Sequence, residues 1–172
     1  MGWLTEKGPT RDVIISSRVR LARNIRNIDF PVIMNKEVAK QTMDHIYEKI
    51  MLGRSTLSQE LKFLPMNDLS QLDREVLLEK HLVSSDLIKR PEHTGILLDS
   101  KEEICIMLNE EDHIRLQTIL PGSQVKEAYE IIDKVDDLLE KNVEYAYDEN
   151  LGYLTSCPTN VGTGMRASVM MH

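Results

Sequence analysis

Apolar and polar residues alternate through residues 12–21 (DVIISSRVRL). Val13, Ile15, Ser17, Val19 and Leu21 fall on odd positions, and Ser16, Arg18 and Arg20 on even ones. A period of two predicts a strand with one mostly apolar face and one face carrying two arginines. Helical spacing takes over at 35–52, where Val38, Met43, Ile46, Ile50 and Met51 form a stripe, Asn35 is the N-cap candidate and Gly53 the stop. A second helix is predicted over 68–83, with Leu69, Leu72, Val76, Leu77 and Leu82 inward. Two strands follow at 94–99 and 103–108, joined as a hairpin through Asp99, Ser100 and Lys101. Another strand is read over 113–120. Pro121, Gly122 and Ser123 then open a long helix over 124–141, burying Val125, Ala128, Ile131, Ile132, Val135, Leu138 and Leu139. Short strands at 143–147 and 153–155 flank a turn at Asn150, Leu151 and Gly152. Strands and helices mix without strict alternation, which predicts an α+β fold with a largely antiparallel sheet flanked by helices.

The chain has 172 residues, enough for one domain with its own core. A formal charge of −7 argues against a general nucleic-acid binder. No apolar run approaches the ~18 residues of a membrane helix. Residues 1–11 contain no apolar signal region. Two cysteines in dissimilar settings are too few for a disulfide scaffold and point to a reducing, cytoplasmic setting. The apolar run 167–171 stops at His172 without a polar tail, so these residues are expected to be the N-terminal portion of a longer domain.

Four segments carry candidate chemistry. Arg18 and Arg20 point the same way from one strand, with Arg23 close behind; two guanidinium forks on one face suit polyphosphate oxygens. In the run NEEDHIR, an extended chain would place Asn109, Glu111, His113 and Arg115 on one face, pairing a carboxylate for base or clamp duty with an anion holder. Cys157 precedes Pro158, and the Ser156 and Thr159 hydroxyls are expected to hydrogen-bond its thiolate. Gly162 and Gly164 would let backbone N–H groups approach an anion next to Arg166. Each segment taken alone also fits an ordinary solvated strand, turn, cysteine or glycine loop. No Cys-x-x-Cys or His-x-x-x-His spacing supports a zinc site, and a cysteine hydrolase built on Cys157 and His113 lacks a third, orienting group.

In their order, SSRVR, NEEDHIR and CPTNVGTGMR resemble the phosphagen (guanidino) kinases, and within that superfamily the bacterial protein-arginine kinases. The resemblance covers residues 12–172. It implies the phosphagen kinase catalytic fold, a glutamine synthetase-like domain, and transfer of the ATP γ-phosphoryl group to arginine guanidinium groups in proteins. Carried onto matching positions, Ser17, Arg18, Arg20, Arg115 and Arg166 would contact ATP phosphates, Glu111 would be the catalytic carboxylate, and Cys157 the reactive thiol beside the guanidinium. Glu110, Asp112, His113, Thr159, Asn160 and Gly162 are support candidates. The cofactors implied are ATP and Mg²⁺, the metal carried by the nucleotide with no direct protein ligand. The partners implied are arginine-bearing proteins, an activating protein and the protein-quality-control machinery of a stress response, with no nucleic acid or membrane.

Only 15 residues precede Ser16, leaving no room for the helical domain of kinases that act on small guanidino substrates; the resemblance therefore implies a site open to an arginine of another protein. Leu97 and Leu98 follow Gly95 and Ile96 where small-substrate members carry an adenine-packing histidine. A further phosphate-binding arginine and a C-terminal arm lie beyond His172 in the family pattern, so the 172-residue chain alone is expected to be inactive. The competing readings are a kinase of free arginine or another small guanidino compound, and a non-catalytic anion-binding module.

Overall fold

The computed structural model describes residues 2–52 and 59–172. Gly53, the expected helix stop, lies outside them. Among the described residues, six strands form one antiparallel sheet in the order β2-β3-β4-β5-β1-β8. They are β1 (Ile14–Arg23), β2 (Lys62–Pro65), β3 (Gly95–Leu98), β4 (Ile104–Leu108), β5 (Ile114–Pro121) and β8 (Met165–Met171). Short β6 (Tyr147–Asp148) and β7 (Gly152–Tyr153) pair separately. Four α-helices that lie wholly within the described residues accompany them, α1 (Lys36–Leu52), α2 (Gln71–Glu79), α3 (Ser85–Lys89) and α4 (Val125–Glu140). None is long and apolar enough to cross a membrane.

The pleat gives the sheet two different faces. Val19, Leu21, Leu97, Ile106, Leu108, Ile114 and Leu116 project from one face into a core with Met43, Ile46 and Ile50 of α1 and Ala128, Ile132, Val135 and Leu139 of α4. Ile96, Leu98, Cys105, Met107 and Ile119 project from the other, against Trp3, Met66, Leu77, Leu82, Val83 and Leu87. Hydrophobic burial on both faces fixes the register, since a one-residue slip would exchange them. Arg18 opposes Ile119, and Arg20 opposes Gln117 on β5 and Arg166 on β8. Arg115 opposes Ala22 and Met107. The arginines therefore share the face of the second core, at the β5–β1–β8 end of the sheet.

Several boundaries differ from expectation for local physical reasons. α1 starts at Lys36, with the Asn35 side chain accepting from Val38 N at 2.9 Å as an N-cap. The single helix expected over 68–83 is broken into pieces. A 3-10 turn spans Met66–Asp68, and Ser70 and Asp73 form a capping box that starts α2. His81, at φ 56°, then turns the chain. Leu72 and Val76 consequently face solvent, at 69% and 40% exposure, whereas Leu82 and Val83 are buried beyond the turn. β2 and α3 lack an evident sequence signal. The strand expected over 143–147 shrinks to the Ile25–Tyr145 bridge plus β6. β8 is exposed along much of its length, including Met165, Val169 and Met171.

Candidate active site

A cavity of about 170 Å³ opens on the arginine face, lined by Arg20, Leu21, Ala22, Glu111, Arg115, Cys157, Thr159, Asn160, Gly164 and Arg166. Three stretches of chain far apart in sequence meet there. Arg18 is outside the lining but on the same face. Its pKa is lowered by burial and by the nearby Arg166 and Arg115. Burial first, then Arg18, Arg115 and Arg166, push Arg20 down to about 10, opposed only by Glu110. Cross-strand cations are destabilising unless an anion joins them. No carboxylate among the described residues pairs with Arg18, Arg20 or Arg166. Such a cluster has the charge to receive a multiply charged anion.

The acidic segment is a turn, not an extended run. Asn109, at φ 54°, reverses the chain, and its N–H donates to His113 O at 2.9 Å. The alternation expected from Asn109 to Arg115 therefore fails. Glu111 reaches the cavity with its side chain 41% exposed, and its Oε2 accepts from Arg115 Nη2 at 2.9 Å. Glu110 is 2% exposed, and its Oε2 pairs with Arg115 Nη1 at 2.7 Å. His113 turns away from the cavity. Its Nδ1 accepts from Ile25 N at 3.0 Å and its Nε2 faces Asp29 O at 3.0 Å, which makes it a buried bracket for the chain leaving β1. Asp112 Oδ1 accepts from Asn24 Nδ2 and from Ser156 N, both at 2.7 Å, tying the acidic turn to the cysteine segment.

Cys157 Sγ lies 3.0 Å from Thr159 Oγ1. Ser156, the other expected thiol partner, instead donates its hydroxyl to Glu111 O at 2.7 Å. Gly162 N–H donates to Tyr153 O and Gly164 N–H to Asn160 O, so the expected glycine cradle has already spent both donors. Gly164 has a different use. At φ 64° its absent Cβ would stand 2.6 Å from Ala22 O and from Arg23 Nη1, so only glycine lets this loop lie against β1. Ser17 also departs from expectation. It is fully buried on the α4 side, donating to Gly122 O at 2.8 Å and accepting from Gln124 N at 2.9 Å. A hydroxyl so placed anchors the start of α4 and does not face the arginines.

Other groups hold these pieces together, and one of them is Arg23, which the sequence sets beside Arg18 and Arg20. Arg23, odd in the β1 alternation, points away from Arg18 and Arg20. It forms a buried pair with Asp136 of α4 (Nη2–Oδ2 2.6 Å), donates to Thr163 O at 2.9 Å and lies over the Tyr153 ring at 3.6 Å. That arrangement clips the glycine loop to β1 and α4. Asp136 is a carboxylate within the apolar stripe of α4, beside Ile132, Val135 and Leu139, and that break in the pattern is its signal in the sequence. Leu97 and Leu98, where the family resemblance left the adenine contact open, are buried in the two cores.

Residues 41–172 match the C-terminal catalytic domain of the ATP:guanido phosphotransferases. A protein-arginine kinase of Geobacillus sp. (strain WCH70) is 48% identical over 171 residues, which is 99% of this chain and 47% of that protein. One from Caldanaerobacter subterraneus subsp. tengcongensis is 49% identical over 163 residues, 94% of this chain and 48% of its own length. The chain thus spans about half the length of the curated relatives it matches. Among solved structures, the duplicated taurocyamine kinase from Schistosoma mansoni with bound transition state analog components superposes with a TM-score of 0.85 at 27% identity, over 98% of this chain and 25% of that one. A lombricine kinase superposes with a TM-score of 0.78 at 22% identity, over 99% of this chain and 50% of that one, a likeness of fold alone.

Proposed function

The chain belongs to the ATP:guanido phosphotransferase family, and on that premise we propose that it carries the nucleotide-binding part of a protein-arginine kinase active site. The observation that carries the reading is the meeting of Arg20, Arg115 and Arg166 with Glu111 and Cys157 around one cavity, with Arg18 on the same face. Arg18, Arg20, Arg115 and Arg166 hold the triphosphate and offset the charge that spreads over the transferring phosphoryl group. Mg²⁺ enters as part of the nucleotide substrate. Among the described residues no group of three or more His, Cys, Asp or Glu gathers into a metal site of its own.

Glu111 faces the guanidinium of the incoming arginine and Cys157 Sγ supplies a second contact. A guanidinium nitrogen attacks the γ-phosphorus. The bond from that phosphorus to the β–γ bridging oxygen breaks, ADP leaves, and the displaced proton passes to Glu111. A free guanidinium has a pKa above ~12, so the proton leaves as the N–P bond forms and not before it. Holding donor and acceptor in line is the main demand of such a reaction.

The 48% identity to protein-arginine kinases supports a protein substrate over a free guanidino compound. A cytoplasmic setting, an activating protein and the quality-control machinery belong to the same proposal, as does the dependence of turnover on residues beyond His172. The test incubates the full-length protein with ATP and either a protein or free arginine, then seeks acid-labile phosphate on arginine by mass spectrometry at neutral pH. Phosphoarginine in the protein is the expected result. Phosphorylation of free arginine alone would reassign the substrate, and none in either would leave an anion-binding module.

A further inference from the structure

Glu110 has no access to the cavity substrate, being 2% exposed, yet it is the most heavily bonded carboxylate of the acidic turn. Its Oε2 accepts from Glu111 N at 2.8 Å and from Arg115 Nη1 at 2.7 Å. Its Oε1 accepts from the Ser84 hydroxyl, and its backbone oxygen accepts from Arg90 Nη2 at 2.7 Å. Ser84 and Arg90 are the two caps of α3. The Ser84 oxygen also accepts from Leu87 N at 3.2 Å, which directs its own hydrogen outward to Glu110. α3 is fixed in place by Leu87, fully buried in the second core. A five-residue helix on the far side of the turn therefore grips Glu110 by its side chain at one end and by its main chain at the other.

The consequence concerns the division of Arg115 between two carboxylates. Its Nη1 belongs to Glu110 and its Nη2 to Glu111. A guanidinium can bind one carboxylate with both forks. If Glu110 let go, Arg115 would be free to take Glu111 with both, occupying the oxygen that must face an incoming guanidinium and drawing its own charge away from the phosphates. A buried Glu110 carboxylate without its Ser84 donor would also hold an unsatisfied oxygen, which favours such a rearrangement.

We infer that Ser84 and Arg90 are positioning residues for phosphoryl transfer, acting through Glu110 to hold Arg115 and Glu111 apart in their working orientations. The inference rests on the kinase reading for its kinetic consequence, but not for the contacts themselves. The experiment therefore has two arms, both on the full-length protein. In the first, Ser84→Ala, Ser84→Thr and Arg90→Gln are assayed for arginine phosphorylation. Ser84→Ala and Arg90→Gln are expected to lower kcat by up to about a hundredfold, the loss typical of a misplaced reacting group, with the KM for ATP nearly unchanged. Ser84→Thr keeps the hydroxyl and restores kcat. Arg90→Gln leaves the α3 N-cap intact, so its effect is separable from loss of helix capping.

In the second arm, the guanidinium ¹⁵N–H resonances of Arg115 are followed by NMR without substrate. They are expected to be protected from exchange in the wild type and Ser84→Thr, and to lose protection in Ser84→Ala and Arg90→Gln. Wild-type protein that phosphorylates no arginine would sink the kinase reading while the NMR arm still decides the positioning role. Unchanged Arg115 protection in both variants, or a kcat loss shared equally by Ser84→Ala and Ser84→Thr, would overturn the inference.

Discussion

Glu111 and Glu110 are adjacent, chemically alike and bound to the same arginine, yet burial gives them separate tasks. Glu111 keeps 41% of its side chain exposed and meets the cavity; Glu110 is sealed behind it. Glu111→Gln in the full-length protein is expected to abolish nearly all phosphoryl transfer while ATP binding survives, because the amide keeps the shape and loses the charge and the proton acceptor. A variant keeping more than about a tenth of the wild-type rate, a barrier change under ~1.4 kcal/mol, would remove Glu111 from the catalytic role. His113 shows the same dependence on surroundings. Burial pushes its imidazole down to about 4, although the Asp29 carbonyl and the Asp112 carboxylate pull the other way. The folded pKa lies below the ordinary value of 6.5, so the unfolded chain binds a proton that the folded chain refuses. His113 thus contributes its stability in full above about pH 6.5 and loses it progressively as pH falls toward 4. Thermal melting is expected to drop across that window, and His113→Gln to flatten the drop; parallel curves for the two proteins would refute the assignment.

At the level of the element, β1 assigns function by parity. Even positions carry Arg18 and Arg20 to the face that bears the cavity, and odd Arg23 goes to the opposite side to meet Asp136 of α4. One strand therefore holds both a paired, buried arginine and two arginines with no carboxylate partner among the described residues. Arg20 directly opposes Arg166 on β8, an arrangement of like charges that weakens the pairing by a few tenths to about 1 kcal/mol. Arg20→Ala is expected to raise the melting temperature slightly and to weaken ATP binding about tenfold or more, since one charge-assisted contact contributes roughly 1.5–3 kcal/mol. Calorimetry of melting and of nucleotide binding reads both. A variant that loses stability as well as affinity would mean that Arg20 holds the sheet together.

For the whole molecule, the uncompensated cations predict a linkage between anion binding and stability. Inorganic triphosphate is expected to raise the melting temperature at saturating concentration, contributing about 2.7 kcal/mol at a hundredfold excess over its Kd. The shift is expected to shrink with added salt and with Arg20→Ala or Arg166→Ala; equal shifts in wild type and variants would put the anion elsewhere. Much of this molecule was written in short stretches of its sequence. The alternation in 12–21 determined a strand and the shared face of Arg18 and Arg20, and the apolar stripe of 124–141 determined α4, because side-chain direction follows directly from a regular backbone. The antiparallel α+β class followed from the order of such elements. The same local rule misled wherever the backbone ceased to be regular. Asn109 reverses the chain, so alternation could not say that Glu110 is sealed in, that Glu111 faces the cavity or that His113 turns inward. Leu72 looked as apolar as Leu82, but only the packing partner across the fold decides which is covered. Ser84, Arg90, Asn24 and Asp136 carry no motif at all. Their roles exist only through contacts with residues up to 113 positions away, and a distance of that kind is set by the folded sheet and helices, not by the neighbours along the chain.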